Sequence, residues 1–314
     1  MDIFNDHFII YSIFFVIFTI SYRISTPIGQ NYFKTDDPTN LSDSKIIPRP
    51  HHQTPPKHPK TAVNCSHISF AAKNTFLPPV IIYSFPGSGN TWLRHLIEAT
   101  TGFYTGSIYS DERLHRLGMI GEEKPLSSGE TVAVKSHTLK PKLVGIPERC
   151  IILFRNPADA FISTLNLWVT KSHTHKINFS QVFDESSLNA QTRLTKTKLR
   201  KQLIHDLPFQ YIQTYDFRRT TACRDNLTVY YENLKTDALQ EIARILEFLG
   251  FSKERMKCLD GNLNGHFKRN NQRSSNREWI SNFLSKKDKS KLTAQMDIYV
   301  NKSPLGLPKN YTFY

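Results

Sequence analysis

The sequence predicts an α/β domain of three layers, a mostly parallel sheet with helices on both faces. Three observations carry this. From about residue 78, short runs rich in β-branched residues alternate with longer segments of helical period. The runs are apolar throughout rather than at every second position, which is how strands covered on both faces read. The punctuation also fits, with Gly102 closing one helical segment and Pro157 in the first turn of another.

The elements follow in order. PPVIIYSF (78–85) is a buried strand, and NTWLRHLIEATTG (90–102) is a helix that stops at its glycine. TVAVKSH (131–137) and CIILFRN (150–156) are two further strands, and PADAFISTLNLWVT (157–170) is a helix. LTVYYENL (227–234) is a fourth strand, followed by the amphipathic helix DALQEIARILEFLG (237–250). GHFKRNNQRSSNREW (265–279) reads as a basic loop. Ligands of such sheets bind beyond the carboxyl ends of the strands, where every motif considered below lies.

Ahead of the domain the texture differs. FIIYSIFFVIFTISY (8–22) is 15 largely apolar residues followed by Arg23. That is short of the ~20 residues a spanning helix needs. A signal-anchor is the preferred reading over a cleaved signal peptide, because no basic region precedes the run and no small-x-small site follows. The organisation is therefore a short cytoplasmic end with an anchor (1–23), a Pro/His/Lys-rich stem (24–77) and one domain (78–314). The stem lacks the apolar surface to order itself. Its His51, His52 and His58 suit a polar stem better than a metal site. Charge flanking the anchor argues for a cytosolic carboxyl side. Six N-x-[ST] sequons, at Asn40, Asn64, Asn178, Asn226, Asn301 and Asn310, argue for a lumenal one.

A formal net charge of +14 suits an anionic partner. No zinc-finger, helix-turn-helix or RNP pattern points to nucleic acid. The four cysteines make no C-x-x-C. Cys150 reads as a buried thiol, Cys223 with Cys258 is one candidate bridge, and sequence does not choose among the three full pairings.

Pro86-Gly87-Ser88-Gly89-Asn90-Thr91 joins a strand to a helix. Small residues let backbone N–H groups converge there, the helix amino terminus adds positive charge, and Ser88, Asn90 and Thr91 add polar side chains. The chemistry is that of a phosphate-type oxyanion site on a P-loop-like fold. It is not a Walker A loop: the lysine is missing, and IILFRN ends in Arg155 where a metal-binding acid would stand.

Four motifs resemble those of sulfotransferases that use 3′-phosphoadenosine 5′-phosphosulfate (PAPS). FPGSGNTW is similar to the family's Y-P-K-S-G-T-T-W loop for the 5′-phosphosulfate. LFRNPADAFIS is similar to its 3′-phosphate motif, with Arg155 and Ser163 eight residues apart. VKSH resembles K-T-H, and YENLKTDALQEIARILEFLG resembles the segment that opens Y-E-D. The run SFPGSGNTWLRHLIEATTGFYTGSIYSD resembles more closely still the sulfotransferase domain of the WSC-domain-containing proteins. That resemblance implies a Golgi type II membrane protein with a lumenal domain that sulfates hydroxyls of glycans, sialic acid among them. No cysteine-rich WSC module is present.

Roles follow by the same resemblance. Gly87, Ser88, Gly89, Asn90, Thr91 and Trp92 hold the donor, with Trp92 stacking on adenine and Tyr231 touching its edge. Arg155 and Ser163 clamp the 3′-phosphate, and Lys268 and Arg269 are candidates to close over it. His137, at a strand end, is placed to take the acceptor proton. Lys135, two residues back, lies on the same side and can neutralise developing charge. No metal is required. Gly87 departs from the soluble members, which have lysine there; Lys135 or Arg94 is the candidate replacement cation. The expected activity is PAPS-dependent O-sulfation of a glycan, releasing adenosine 3′,5′-bisphosphate (PAP). The alternative is a carbohydrate-binding protein that keeps the nucleotide pocket as a relic. Oligomeric state is not legible.

Overall fold

The computed structural model describes residues 63–72, 77, 80–124, 126–139, 149–170, 172–173, 178–182, 190–215, 223–263, 265, 273–302 and 311. The anchor segment 1–23, the stem up to residue 62, and Lys268 and Arg269 lie outside them. Among the described residues no helix is long and apolar enough to cross a membrane.

The first strand, β1 (Val80–Ser84), is buried throughout. Helix α1 (Asn90–Thr101) leaves it through a short turn and ends at Gly102, whose left-handed backbone lets its N–H bond Glu98 O. Then come β2 (Gly106–Ser107), α2 (Glu112–Arg116), β3 (Val134–Ser136), β4 (Arg149–Phe154) and α3 (Pro157–Thr170). Helices α4 (Phe179–Val182) and α5 (Ala190–Lys201) follow, then a π-helical turn, Gln202–Asp206, and α6 (Leu207–Thr214). The chain returns to the sheet as β5 (Asp225–Tyr230) and continues as α7 (Tyr231–Thr236), α8 (Ala238–Leu249), α9 (Arg273–Phe283) and α10 (Lys286–Lys302).

The sheet order is β2-β3-β1-β4-β5, every neighbouring pair parallel. β1 lies between β3 and β4, so chain connections diverge on either side of it. That makes its carboxyl end the switch point where such sheets bind ligands. Its side chains alternate. Ile81 and Tyr83 join Phe154, Phe161 and Tyr211 on one face, while Val80 and Ile82 join Leu93, Ile97 and Ile245 on the other. Helix α8 shows the sequence logic most plainly. Asp237 accepts from Gln240 N at its start, Ile242, Ile245, Leu246 and Leu249 face inward, and Gly250 closes it at φ 80°.

Three sequence expectations are corrected. The fourth strand stops at Tyr230: Tyr231 opens α7, so residues 231–234 are helical. Residues 273–279 of the segment read as a basic loop belong to α9. Cys150 is buried as read, and the candidate Cys223–Cys258 bridge is not present. Cys150 pairs with Cys223 (Cα–Cα 5.8 Å) and Cys65 with Cys258 (5.2 Å), both within the usual reach. Cys150 lies in β4, which pairs in parallel with β5, and Cys223 lies two residues ahead of that strand.

Residues 63–72, read from sequence as the end of the stem, pack on the domain. Buried Arg255 donates to Asn64 O (3.0 Å), His67 O (3.1 Å) and Ala99 O (3.3 Å). Together with the Cys65–Cys258 bond, these contacts fasten the strand-free approach to the 3-10 turn Glu254–Leu259.

Candidate active site

The turn between β1 and α1 is shaped by two glycines. Gly87 has φ +78° and Gly89 φ +95°, a region that suits glycine because it lacks a Cβ. Space dictates the same residue. A Cβ on Gly87 would stand 2.5 Å from Ala160 O and 2.7 Å from Thr164 Oγ1 of α3. One on Gly89 would stand 2.5 Å from the Tyr231 ring. The turn is held from outside: Thr164 Oγ1 donates to Pro86 O (2.9 Å), and Tyr215 OH accepts from Phe85 N (2.9 Å) while donating to Leu153 O (2.7 Å). Ser88 is fully buried, its Oγ 3.4 Å from the Tyr215 hydroxyl. Leu93 N is the residue that bonds back to Gly89 O (3.0 Å). The N–H groups of Asn90, Thr91 and Trp92 thus precede the helical ladder at the positive end of α1.

Asn90 has a structural task. Its Nδ2 donates to Ile82 O and Ser84 Oγ, both at 3.1 Å, so the side-chain amide ties α1 to β1 and is not offered to an anion. Its buried Oδ1 has no partner among the described residues. Thr91 is half-buried at the helix start.

One wall of the site comes from Arg155, Tyr231 and Trp92. Arg155 Nη1 donates to Gly87 O (2.6 Å), and its guanidinium lies 4.2 Å over the Tyr231 ring. Trp92 meets Tyr231 edge to face at 5.5 Å, with its Nε1 donating to Leu263 O (2.7 Å). Ser163, half-buried on α3, abuts the Gly87 turn; its Cβ is 3.1 Å from where a Gly87 Cβ would be. Tyr211 OH donates to Arg155 O (2.8 Å), fixing the strand end behind the guanidinium.

The opposite wall is the end of β3. His137 Nδ1 donates to Ser84 O (2.7 Å). That bond places the ring proton on Nδ1 and leaves Nε2 bare, the tautomer a proton acceptor needs. Tyr109 supports it: its hydroxyl accepts the His137 N–H (2.7 Å), and its ring lies 5.4 Å from the imidazole. Lys135 Nζ sits 5.6 Å from the centre of the same ring. The buried Lys135 makes no hydrogen bond among the described residues; burial pushes it down from its ordinary value, Glu122 and Asp111 act upward and Arg94 downward. His137 is pushed down to about 3, first by burial and then by the Lys135 charge, so the imidazole is neutral.

This has a measurable consequence. The unfolded chain takes up a proton on His137 near pH ~6.5, whereas the folded domain refuses it. The stability from this group is therefore present above that pH and lost as pH falls toward about 3. Urea midpoints of wild type are expected to drop more steeply between about pH 6.5 and 5 than those of His137→Gln. Parallel profiles would contradict a half-buried neutral imidazole.

His137 and Arg155 thus contact carbonyls of one short turn, those of Ser84 and Gly87. Of the residues singled out from sequence, Gly87, Ser88, Gly89, Trp92, Arg155, Ser163, Tyr231, Lys135 and His137 gather around it, Thr91 stands at the helix start and Asn90 braces it from behind. Arg94 does not serve as a replacement cation. It is fully buried, ion-paired to Glu122, and donates to Thr105 Oγ1 (2.7 Å) and Thr105 O (3.1 Å). Sequence reasoning missed Tyr109, Thr164, Tyr211 and Tyr215, which position the turn and its flanks. Tyr109 alone had a signal, within the GSIYSD of the resembling run. Among the described residues no group of three or more His, Cys, Asp or Glu is placed to hold a metal ion.

The sheet and its glycine turn define a parallel α/β domain in which the amino terminus of α1 lies between an imidazole and a guanidinium. The chain belongs to the sulfotransferase family: the family model described as "Sulfotransferase domain" matches residues 77–298. Among curated proteins it is similar to a WSCD family member of Drosophila melanogaster, 31% identical over 193 residues, 59% of this chain and 55% of that protein. A WSCD family member of Aedes aegypti is 29% identical over 170 residues, 54% of this chain and 50% of that protein. The chain thus spans about half the length of the curated relatives it matches. Solved structures superpose loosely. Mouse sulfotransferase SULT7A1 complexed with PAP gives a TM-score of 0.41 at 14% identity, covering 73% of this chain and 86% of that one. Retinol dehydratase in complex with androsterone and inactive cofactor PAP gives 0.42 at 15%, covering 75% and 85%. Superpositions this loose add nothing to the family match.

Proposed function

We propose that this protein transfers the sulfuryl group of PAPS to a hydroxyl of a glycan, sialic acid being the leading acceptor sugar, and does so as a type II membrane protein with its domain in the Golgi lumen. The observation that carries the chemistry is His137, locked by Ser84 O in the tautomer with Nε2 free, on the same turn that Arg155 and the α1 amino terminus approach.

The glycine cradle fits the donor's phosphosulfate, and its backbone N–H groups are the partners for the oxygens. Arg155 and Ser163 serve the 3′-phosphate, and the Trp92–Tyr231 pair offers an aromatic edge to adenine. The acceptor oxygen bonds to sulfur as the bond from sulfur to the bridging phosphate oxygen breaks. Nε2 of His137 takes the hydroxyl proton, and Lys135, the nearby buried cation, balances the negative charge left on the bridging oxygen. The products are a sulfate ester and PAP.

Two features support the lumenal setting. The domain carries two disulfides, the chemistry of an oxidising compartment. The sequon asparagines Asn64 and Asn226 are exposed. The glycan acceptor and the membrane tether rest on the resemblance of the run SFPGSGNTWLRHLIEATTGFYTGSIYSD to WSC-domain-containing proteins.

The test is sulfation of sialylated glycans with labelled PAPS, alongside calorimetry with PAP. His137→Ala is expected to lose about a hundredfold or more in turnover while keeping PAP affinity. Arg155→Ala is expected to weaken PAP. Full turnover in both variants would refute the assignment. A second reading, a carbohydrate-binding relic, is favoured by the locked Arg94 and the absent loop lysine. It predicts no turnover in wild type on any glycan, with PAP binding either lost or retained without chemistry.

A further inference from the structure

Away from the nucleotide turn, a surface basin of about 590 Å³ lies between the end of α5 and α10. Its lining carries three cations, Arg200, Lys287 and Lys291, and a single carboxylate, Asp288. That carboxylate is spent. Asp288 is buried, receives Arg200 in a two-point fork (Nε to Oδ2 2.9 Å, Nη2 to Oδ1 2.8 Å), and caps α10 by accepting from Ser285 N and Oγ. The fork holds the guanidinium rigidly while leaving the Arg200 side chain 52% exposed.

Lys287 and Lys291 are both exposed and four residues apart on one face of α10. Like charges at that spacing destabilise a helix, so the fold itself gains nothing from the pair. Neither makes a hydrogen bond or ion pair among the described residues. Exposed Lys198, Lys201 and Lys286 extend the positive field beyond the rim. The floor is different in character: half-buried Ile204 supplies an apolar patch. It stands in the π-helical turn Gln202–Asp206, a widened turn of a kind frequent at functional sites.

Cations around an aliphatic floor match one ligand chemistry well, a sugar chain bearing sulfates or carboxylates. Its anionic groups meet the guanidinium and ammonium groups, and a ring's C–H face rests on Ile204. A concave basin suits a chain end better than the plane of a bilayer. We propose that this basin is an exosite that docks an acidic portion of the acceptor glycan. The ligand class rests on the glycan reading above, whereas the location does not.

The probe is a fluorescent heparin-derived hexasaccharide, titrated by anisotropy against the whole domain with its disulfides intact. Lys287→Glu with Lys291→Glu is expected to weaken binding at least about tenfold and to reduce the slope of log affinity against log salt by about two. The milder Lys287→Gln with Lys291→Gln is expected to fall between. The control is Lys235→Glu with Lys253→Glu, two exposed lysines elsewhere, expected to change affinity less than about twofold beyond the general charge effect. Equal weakening by both glutamate pairs, or none by the first, overturns the exosite. So does loss of binding to phosphatidylserine vesicles in the first pair with the hexasaccharide unaffected, which would make the basin a membrane contact. PAP calorimetry on the same proteins separates the two claims. PAP affinity is expected to be unchanged in every variant. Failure of wild type to bind PAP would strike the transferase reading without touching the hexasaccharide result.

Discussion

Lysine at position 87 is expected to destabilise the domain and leave turnover unrestored, although soluble sulfotransferases resemble this loop with lysine there. A left-handed backbone at φ +78° costs a non-glycine residue roughly 1–2 kcal/mol. The side chain would also start 2.5 Å from Ala160 O and 2.7 Å from Thr164 Oγ1. The first is backbone within α3, which cannot swing aside. Overpacking of this sort adds about 1–3 kcal/mol, so the loss in urea is expected at about 2–5 kcal/mol. Any shift of the turn also breaks the bond from Arg155 to Gly87 O, and PAP affinity should fall with it. A Gly87→Lys protein as stable as wild type and faster in sulfation would show that the turn adapts. The milder Gly87→Ala meets the same Cβ contacts and is expected to lose most of the same stability, which separates geometry from charge.

Glu122→Ala is expected to cost about 3–5 kcal/mol, the usual penalty for stranding a buried charge. Glu122 and Arg94 are both inaccessible to solvent. The second Glu122 oxygen accepts Asp111 N (3.2 Å), which positions the cap of α2. Burial would raise the Glu122 carboxyl, but Arg94 and then Lys135 more than offset it and hold it below its ordinary value. Removing the carboxylate therefore leaves two buried cations, Arg94 and Lys135, facing each other with Asp111 as the remaining counter-charge among the groups acting on Lys135. Urea unfolding measures the loss. Replacing both partners, Arg94→Met with Glu122→Leu, is expected to recover much of it, because a buried pair is worth little against apolar residues of similar volume. If the double variant is as unstable as Glu122→Ala, the bonds from Arg94 to Thr105 matter more than the ion pair. In the single variant Lys135 loses an attraction that favours its charged form, so sulfation should fall by more than the unfolded fraction explains.

The sheet was legible because its cause is local. VIIYS and CIILF are apolar on both faces, and the glycines and Pro157 mark the ends. What reading by run failed to place was decided by partners distant in the chain. YYENL has strand-like aromatics, yet the chain turns into α7 at Tyr231, whose ring packs where only glycine fits at position 89. Arg94 reads from its helix as a cation available to the site. Its partner Glu122 is 28 residues on, in a 3-10 turn no period announces. Cys150 was correctly placed inside, but its partner Cys223 lies 73 residues on, just ahead of β5. At the site, the motif residues lie at the ends of β3, β1 and β4 and the start of α7, which the sheet order brings around one turn. Tyr215 and Thr164, which clamp that turn through its backbone, carry no motif of their own. Asn90 was assigned to the ligand by its type and serves the scaffold by its geometry.

The bond from Cys65 to Cys258 gives the domain a mechanical fuse-free mounting. Tension entering along the amino-terminal side of the chain arrives at Cys65 before it can reach β1, and there it divides into a covalent link to the Glu254–Leu259 turn. Arg255 spreads the remainder over the carbonyls of Asn64, His67 and Ala99. On the proposed tether, a drifting membrane can tug this protein without transmitting force to the glycine turn.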